Sequence, residues 1–413
     1  MRDRTPRDAG SPDTVRDWAE SGVVAVTGYA DGPPVVPPGV AATRARELAR
    51  WVSAAAGSIE IDGARLLAER AALTKHGRRG TVSVGGGCRL LPTADGWAAV
   101  SCVRPDDPLL LGALIGQDIE SDDPWPPIAG WLGAHSGAEL AERAELLGIA
   151  ARPVDDGPCS NPVNPIAPRS VEGFLVVDFS ALWAGPLCAH LLGRAGARIV
   201  KVETPNRPDG ARRGNPEFYD LLHHGHESVV LDPSEPGGRR ALGRLVEAAD
   251  IVIEASRPRA LAGFGLDAHA TVARGATWVS ITAAGRKSDR VGFGDDIAAG
   301  AGLVAAGVRG APVFVGDAIA DPLAGLTAAA LAMSTPPSVG GVLLDVSMSD
   351  VVAATLGDAP VAVPRRDGDT WIVDCATGSV PIAEPTARTP GGTAAPAGAD
   401  TARVLASLGI PAP

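Results

Sequence analysis

Carboxylates beside glycines and a helix start are the groups in this chain best placed to do chemistry. Asp321 stands in Ala320-Asp321-Pro322, at the head of a helix predicted over 322–334. Unpaired N–H groups and the positive end of the helix dipole keep a carboxylate ionised there, whether it serves as a reactive group or only as an N-cap. Asp317, four residues earlier in Gly316-Asp317, could cap the same helix, support Asp321 or act in its place. Gly294-Asp295-Asp296 holds two more acids. Asp295 could exchange a proton if burial raised its pKa; otherwise the motif is a turn or a helix cap. Gly85-Gly86-Gly87, just before Cys88 and Arg89, lets backbone approach a reacting group closely, or is an ordinary flexible turn. His223, His224 and His226 match no metal-ligand spacing and lack carboxylates at helical spacing, so no metal is expected. Cys88 has no histidine neighbour in sequence to activate it.

The elements that must position these groups form a repeating pattern after residue 171. Phe174 to Phe179 reads as a strand, Ala184-Gly185-Pro186 opens a helix, Gly196 ends it, and a second strand runs from Arg198 to Glu203. The turn carries no G-x-G-x-x-G, so a dinucleotide fingerprint is absent. Strands are predicted at 173–179, 198–203, 228–232, 250–254, 276–282 and 341–346, and helices at 186–195, 236–248, 322–334 and 348–356. Such alternation predicts an α/β fold with a doubly wound, largely parallel, Rossmann-like sheet.

Upstream, residues 18–155 read as a second, smaller α+β domain together with a partial repeat of a large-domain segment, with a strand from Trp97 and a helix starting at Ser136-x-x-Glu139. Residues 1–17 read as disordered, 156–170 as a proline-rich linker, 171–383 as the large domain, and 384–413 as a tail with a short helix. A weak repeat links GVVAVTGYADGPPVV (from Gly22) with GLVAAGVRGAPVF (from Gly302), and the segment from Ser58 with that from Gly341.

Composition removes several classes. A net charge of -11 leaves no basic excess for nucleic acid. Five scattered cysteines without C-x-x-C predict reduced thiols rather than a disulfide framework. The first residues, MRDRTPRDAGSPD, lack an apolar signal core, and the small-apolar run near 298–308 is too short to span a bilayer. The expectation is a cytoplasmic protein without a membrane partner.

The segments VVDFSALWAGPLCAHLLGRAGARIVKVE, SVVLDPSEPGGRRALGRLVEAADIVIEASRP, WVSITAAG, VGDAIADPLAGLTAAALA and VLLDVSMSDVV, in that order, resemble the family III CoA-transferases, which include formyl-CoA transferase and methylacyl-CoA racemase. CRLLPTADGWAAVSCVRPDD and ELAERAELLGIAARPV resemble the same family's smaller domain, which here precedes the large one, as in a permuted chain. The resemblance implies acyl-CoA and a small carboxylic acid as substrates, no permanently bound cofactor, and a homodimer. It implies Asp321 as nucleophile, with Asp317 second. Racemases of the family carry Gly-His-Asp where this chain has Gly294-Asp295-Asp296. For CoA it points to Trp183, Ala184, Thr204, Ala255, Ser256 and Arg257, with Gly85, Gly86 and Gly87 as a covering loop. Several positions depart from the pattern. Ala255-Ser256 replace Asn-Phe, Thr204 replaces a basic residue, and His223-His224-Gly225-His226-Glu227 replaces a basic run. The expected activity is therefore acyl-CoA:carboxylate CoA transfer. The alternatives are racemisation by Asp295 and Asp321, or a CoA-binding paralogue without activity.

Overall fold

Six short runs rich in valine and isoleucine build one wholly parallel sheet, in the order Val342–Ser347, Thr277–Thr282, Ile251–Glu254, Leu175–Asp178, Arg198–Glu203 and Glu227–Val230. Successive residues of a strand face opposite sides. Val176, Ile251, Ile253, Val279 and Ile281 pack beneath the Ala184–Arg194 and Ala320–Ala332 helices, whereas Val177, Val200, Val252 and Trp278 pack against the Pro236–Ala248 and Thr401–Ser407 helices. Burial on both faces is why these strands read as continuous apolar runs. The computed structural model describes residues 13–57, 59–119, 123–155, 164–256, 258–307, 310–336, 340–357 and 362–413. The architecture is the α/β, doubly wound type expected, and each sheet strand lies within two residues of its predicted bounds.

Four features differ from the sequence reading. Disorder was expected through residue 17, but Thr14–Glu20 is a helix; Asp13 caps it, Val15 and Trp18 are buried, and Asp17 pairs with Arg46. The block expected at 18–155 is divided. Residues from Val15 to Ala68 contribute to the large unit's core, and the Ala41–Ala56 helix packs on Ala320–Ala332. The smaller α+β unit is built later in the chain. Its antiparallel strands are Cys88–Pro92, Trp97–Ser101 and Ala151–Pro153, backed by the Asp107–Ile115, Trp125–Leu132 and Gly137–Leu147 helices. Ser136 caps the last of these, accepting the Glu139 N–H at 3.2 Å.

The expected linker is also not free. From residue 164 onward it is tied to the large unit, with Arg169 donating to the Ala332 carbonyl and to Thr277 Oγ1. Residues 365–383, assigned by sequence to the large sheet's domain, instead form a small antiparallel sheet of strands Arg365–Asp367, Thr370–Cys375 and Gly378–Pro381 beside the first helix. The tail then crosses the molecule. Ser228 N–H donates to Asp400 and Val230 N–H to Thr401, closing the edge of the Glu227–Val230 strand. The repeat survives in part. Gly28 bridges Pro34 as Val304–Ala306 pairs with Pro312–Phe314, and each hairpin leads to one of the two packed helices. The later copy's Val342–Ser347 is a strand, while residues 59–62 are not.

Glu69, 2% exposed, holds the tail by accepting from the Arg388 backbone N–H at 2.9 Å and from its Nε and Nη2, both at 2.7 Å. Replacing Glu69 with Ala strands a largely buried guanidinium. The expected loss is about 3 kcal/mol, read from urea unfolding, because breaking one side of a buried pair leaves the other uncompensated.

Candidate active site

The sheet grows outward in two directions from the pair Leu175–Asp178 and Ile251–Glu254, which makes their carboxyl ends the topological switch point. The turn that follows Asp178 is pinned from behind. Lys201, 1% exposed, sits 3.0 Å from Asp209 Oδ2 and 3.7 Å from Asp178 Oδ2, and donates to the Ser180 carbonyl. Asp209 accepts the Leu182 N–H at 3.0 Å, which holds Leu182 at a left-handed φ of 70°. A branched residue kept in that region signals strain imposed by its surroundings. Gly185 is required here, since a Cβ would overlap Ser180.

Two cavities flank the turn. One, of about 430 Å³, lies over the switch point; Ala184, Ala255 and Ser256 form its floor, and Arg207, Arg259 and Arg290 reach it. The other, of about 570 Å³, lies between the turn and the smaller unit, with Trp183, Phe218, Gly85, Gly87 and Cys88 on its walls. Asp321, from the first turn of the Ala320–Ala332 helix, borders both.

Asp321 accepts the N–H of Gly294, and any Cβ at 294 would collide with its Oδ2 and with the Ala318 carbonyl. Asp295 borders the larger cavity and accepts the Ala318 N–H at 2.8 Å. Asp296 is turned inward. It takes the Phe293 N–H and the Ser101 hydroxyl, each at 2.8 Å, with Arg152 Nε 3.6 Å away. Asp317 is fully buried and is gripped by Arg70, whose Nε donates to Oδ2 at 2.8 Å while Nη2 donates to Oδ1. The same guanidinium lies over the Trp183 ring, 5.2 Å from its centroid.

Burial pushes the Asp321 carboxyl up to about 7; the Arg70 charge works against this, and Asp295 and Asp296 reinforce it. Burial likewise raises Asp295, helped by the Asp317 charge and opposed by Arg70. Asp296 is raised by burial in spite of Arg152. Near neutrality, then, the cavity-facing carboxyls can hold a proton and release it, while the cation beneath them is committed to Asp317.

The structure brings Asp321, Asp295, Gly85 and Gly87 to one cavity, together with Trp183, and Ala184, Ala255 and Ser256 to the other. Gly86 turns at φ 84° between its neighbours and borders neither cavity. Asp317 borders neither and spends both oxygens on Arg70, a geometry that suits support and not attack. Thr204 bridges to Arg207 at the rim and does not line a cavity. Arg257 lies outside the described residues. His223 and His226 are buried with their ring pKa values lowered, first by burial and then by Lys201. Among the described residues no group of three or more His, Cys, Asp or Glu is placed to hold a metal ion, and no helix is long and apolar enough to cross a membrane.

Sequence reasoning missed Arg70. It sits in the short Glu69–Thr74 helix of an Ala- and Arg-rich stretch, where one arginine looks like any solvated one.

Residues 171–369 match the family model described as CoA-transferase family III. That match spans just under half of the chain. The chain is similar to succinyl-CoA–D-citramalate CoA-transferase of Chloroflexus aurantiacus, 28% identical over 210 residues, which cover 46% of this chain and 52% of that protein. Succinate–glutarate CoA-transferase of Agrobacterium fabrum is 33% identical over 110 residues, 24% of this chain and 28% of that one. Thus the chain spans about half the length of the first relative and less of the second. A CaiB/BaiF family protein from Brucella suis aligns in structure with a TM-score of 0.44 and 23% identity, over 52% of this chain and 66% of that chain.

Two outcomes are expected from this geometry. Gly294→Ala displaces Asp321 and should lower turnover at least about a hundredfold, since a shift of about 1 Å at a reacting group costs that much. Arg70→Met removes the nearest cation, so the Asp321 pKa rises and the acid limb of the pH–rate profile moves to higher pH; Arg70→Lys should restore most of that shift.

Proposed function

We propose that this protein is an acyl-CoA:carboxylate CoA-transferase that works through a thioester between CoA and Asp321. The observation that carries the reading is the place of Asp321: one half-buried carboxylate at the meeting of a cavity edged by Arg207, Arg259 and Arg290 and a second walled in part by Trp183 and Phe218. The nucleotide of CoA fits the switch-point cavity, where Arg207, Arg259 and Arg290 face its phosphates and supply the charge missing from Thr204 and the histidine run. The acyl group and the acceptor acid take the larger cavity. The printed names of the relatives, both CoA-transferases of carboxylic acids, agree with this.

The chemistry is balanced with no further reactant. Ionised Asp321 attacks the acyl-CoA thioester carbonyl; the carbon–sulfur bond breaks, leaving a mixed anhydride and CoA thiolate. The thiolate attacks the aspartyl carbonyl, the acyl group leaves as its carboxylate, and Asp321 carries CoA as a thioester. The acceptor carboxylate then repeats the two exchanges in the opposite sense and departs as its CoA ester. A carboxylate with pKa near 7 is a better nucleophile than an ordinary one and remains largely ionised in mild alkali. Backbone N–H groups of Gly85 and Gly87, which line the same cavity as Asp321, would serve the tetrahedral oxyanions.

A second reading, α-proton exchange on an acyl-CoA, is favoured by one specific feature: Asp295 and Asp321 share a cavity and both carry raised pKa values. Deuterium wash-in at the α-carbon without an acceptor acid would support it, and no wash-in would dismiss it. For the transferase, Asp321→Ala should abolish exchange while calorimetry still detects CoA. Binding without exchange by the wild type, across a broad acyl panel, would instead mark a paralogue without activity.

The raised carboxyl sets two pH dependences. In the wild type, kcat/KM should fall about tenfold per unit below pH 7 as Asp321 takes its proton; a profile flat to pH 5 would contradict the assignment. Stability runs the other way. The folded value, about 7, lies above the ordinary 3.8, so the folded chain holds the extra proton between them and loses stability as pH rises through that window. Asp321→Asn should therefore be more stable than wild type at pH 8, by roughly 1–3 kcal/mol in urea unfolding.

A further inference from the structure

Three imidazoles meet behind one wall of the larger cavity. His223 ends the Pro216–His223 helix, His226 follows three residues later, and His190 comes from the Ala184–Arg194 helix. All three are buried. The ring centroids of His223 and His226 are 5.6 Å apart and those of His190 and His226 6.4 Å, while Tyr219 stacks on His223 at 4.2 Å. His190 Nε2, His226 Nδ1 and both ring nitrogens of His223 have no hydrogen-bond partner among the described residues. His224, half-buried, lies under the tail, where a Cβ on Gly391 would come within 2.5 Å of its Nε2.

The charges that face this cluster favour neutral rings. Lys201 from the Arg198–Glu203 strand, Arg194 beside His190, Arg212 from the Gly210–Arg213 turn and Arg388 from the tail all oppose a further positive charge. The acids nearby are committed. Asp209, 3.7 Å from His223 Nε2, shares Lys201 with Asp178 and accepts the Leu182 and Ala211 N–H groups. Glu203 holds Arg212, Glu69 holds Arg388, Glu227 is taken by Arg198 and Arg403, and Asp220 accepts the Ala394 N–H. A proton added to any of the three rings would meet burial and cations, with each nearby acid already engaged. The rings become charged by reaching water.

Reaching water means moving the Pro216–His223 helix, and that helix walls the cavity of Asp321. Its Phe218 and its capping residue Asn215 line the cavity, with Phe218 edge-on to Trp183 at 5.2 Å. Asn215 also donates to the carbonyl of Leu73, in the helix that carries Arg70. We propose that His190, His223 and His226 form an acid-operated latch: neutral, they seat the Pro216–His223 helix against the cavity, and protonated, they release it and open the site. The latch goes beyond the transferase reading and holds for any chemistry at Asp321.

Burial first, and then the neighbouring cations, lower the rings: His226 from the ordinary 6.5 to about 3, and His190 and His223 well below 6.5. The stability they contribute is therefore complete above pH 6.5 and is lost as pH falls below it. Asp321 and Asp295 act in the opposite sense between 3.8 and about 7, a share that a comparison with histidine variants cancels. Each ring that takes a proton on opening raises the open population about tenfold per pH unit, so three raise it about a thousandfold.

Hydrogen exchange of the full chain, read by mass spectrometry and corrected for the intrinsic pH dependence of exchange, tests the latch. Between pH 7.5 and pH 5.5, protection of residues 216–226 should fall by about tenfold for each ring that titrates, up to about a thousandfold. Strands Leu175–Asp178 and Ile251–Glu254 should keep their protection, and a return to pH 7.5 should restore the segment. His223→Gln and His226→Gln should each remove about tenfold of the fall, and the triple variant with His190→Gln nearly all of it. A fall of less than about tenfold in the wild type, an equal fall in the sheet strands, or an undiminished fall in the single variants would overturn the proposal, whether or not the triple variant folds. A chain that exchanges no CoA would still show the fall, so failure of the transferase reading and failure of the latch are told apart.

Discussion

The forked contact between Arg70 and Asp317 is the interaction on which the site depends. Four carboxyl groups, Asp295, Asp296, Asp317 and Asp321, converge where the Gly294–Gly300 and Ala320–Ala332 helices begin. Among the described residues two cations, Arg70 and Arg152, pair with them. Arg152 serves the inward Asp296, and Arg70 closes on Asp317. That leaves the half-buried Asp321 and Asp295 without a cation of their own, and desolvation raises both carboxyls to about 7. Were Arg70 free to swing onto Asp321, that carboxyl would gain a cation of its own; the contact with Asp317 holds Arg70 away. A buried carboxylate thus determines which carboxyls at the site are left without a cation.

This arrangement explains why the first part of the chain belongs to the large unit's core. Arg70 is carried by the Glu69–Thr74 helix, and its neighbour Glu69 fixes the tail through Arg388. Upstream, Trp18 donates to the Gly39 carbonyl at 2.9 Å, and the Ala41–Ala56 helix packs on the helix that bears Asp321. Removing residues 14–74 would take away both the packing face of that helix and the cation beside it. The smaller unit contributes from the other side, where Ser101 and Arg152 hold Asp296. The candidate site is therefore assembled from three stretches of one chain that are remote in sequence.

The sheet was readable because its strands are apolar on both faces and are separated by helices with clear starts, as at Pro186 and Pro236. Asp321 was readable for a related reason: its flanking residues define a helix start and resemble a known family. Arg70 was not. Its meaning comes from a contact 247 positions away, and nothing local distinguishes it from a surface arginine. Asp317 was left open between support and attack for the same reason, since that choice depends on burial and partner, which composition does not encode. The small sheet from Arg365 to Pro381 also escaped prediction, because its outer strand is short and wholly exposed, with no apolar alternation to mark it. The helix at Thr14–Glu20 was hidden by the charged residues around it, although Trp18 faces inward.

The account stands or falls on a covalent bond at one side chain. Hydroxylamine added during turnover with an acyl-CoA and an acceptor acid captures an aspartyl thioester or anhydride as a hydroxamate, which peptide mass spectrometry locates. The prediction is a hydroxamate on Asp321 that requires acyl-CoA and is missing from Asp321→Asn. An enzyme that exchanges CoA at full rate while Asp321 stays unmodified, or one modified at Asp295 or Asp317 instead, would contradict it.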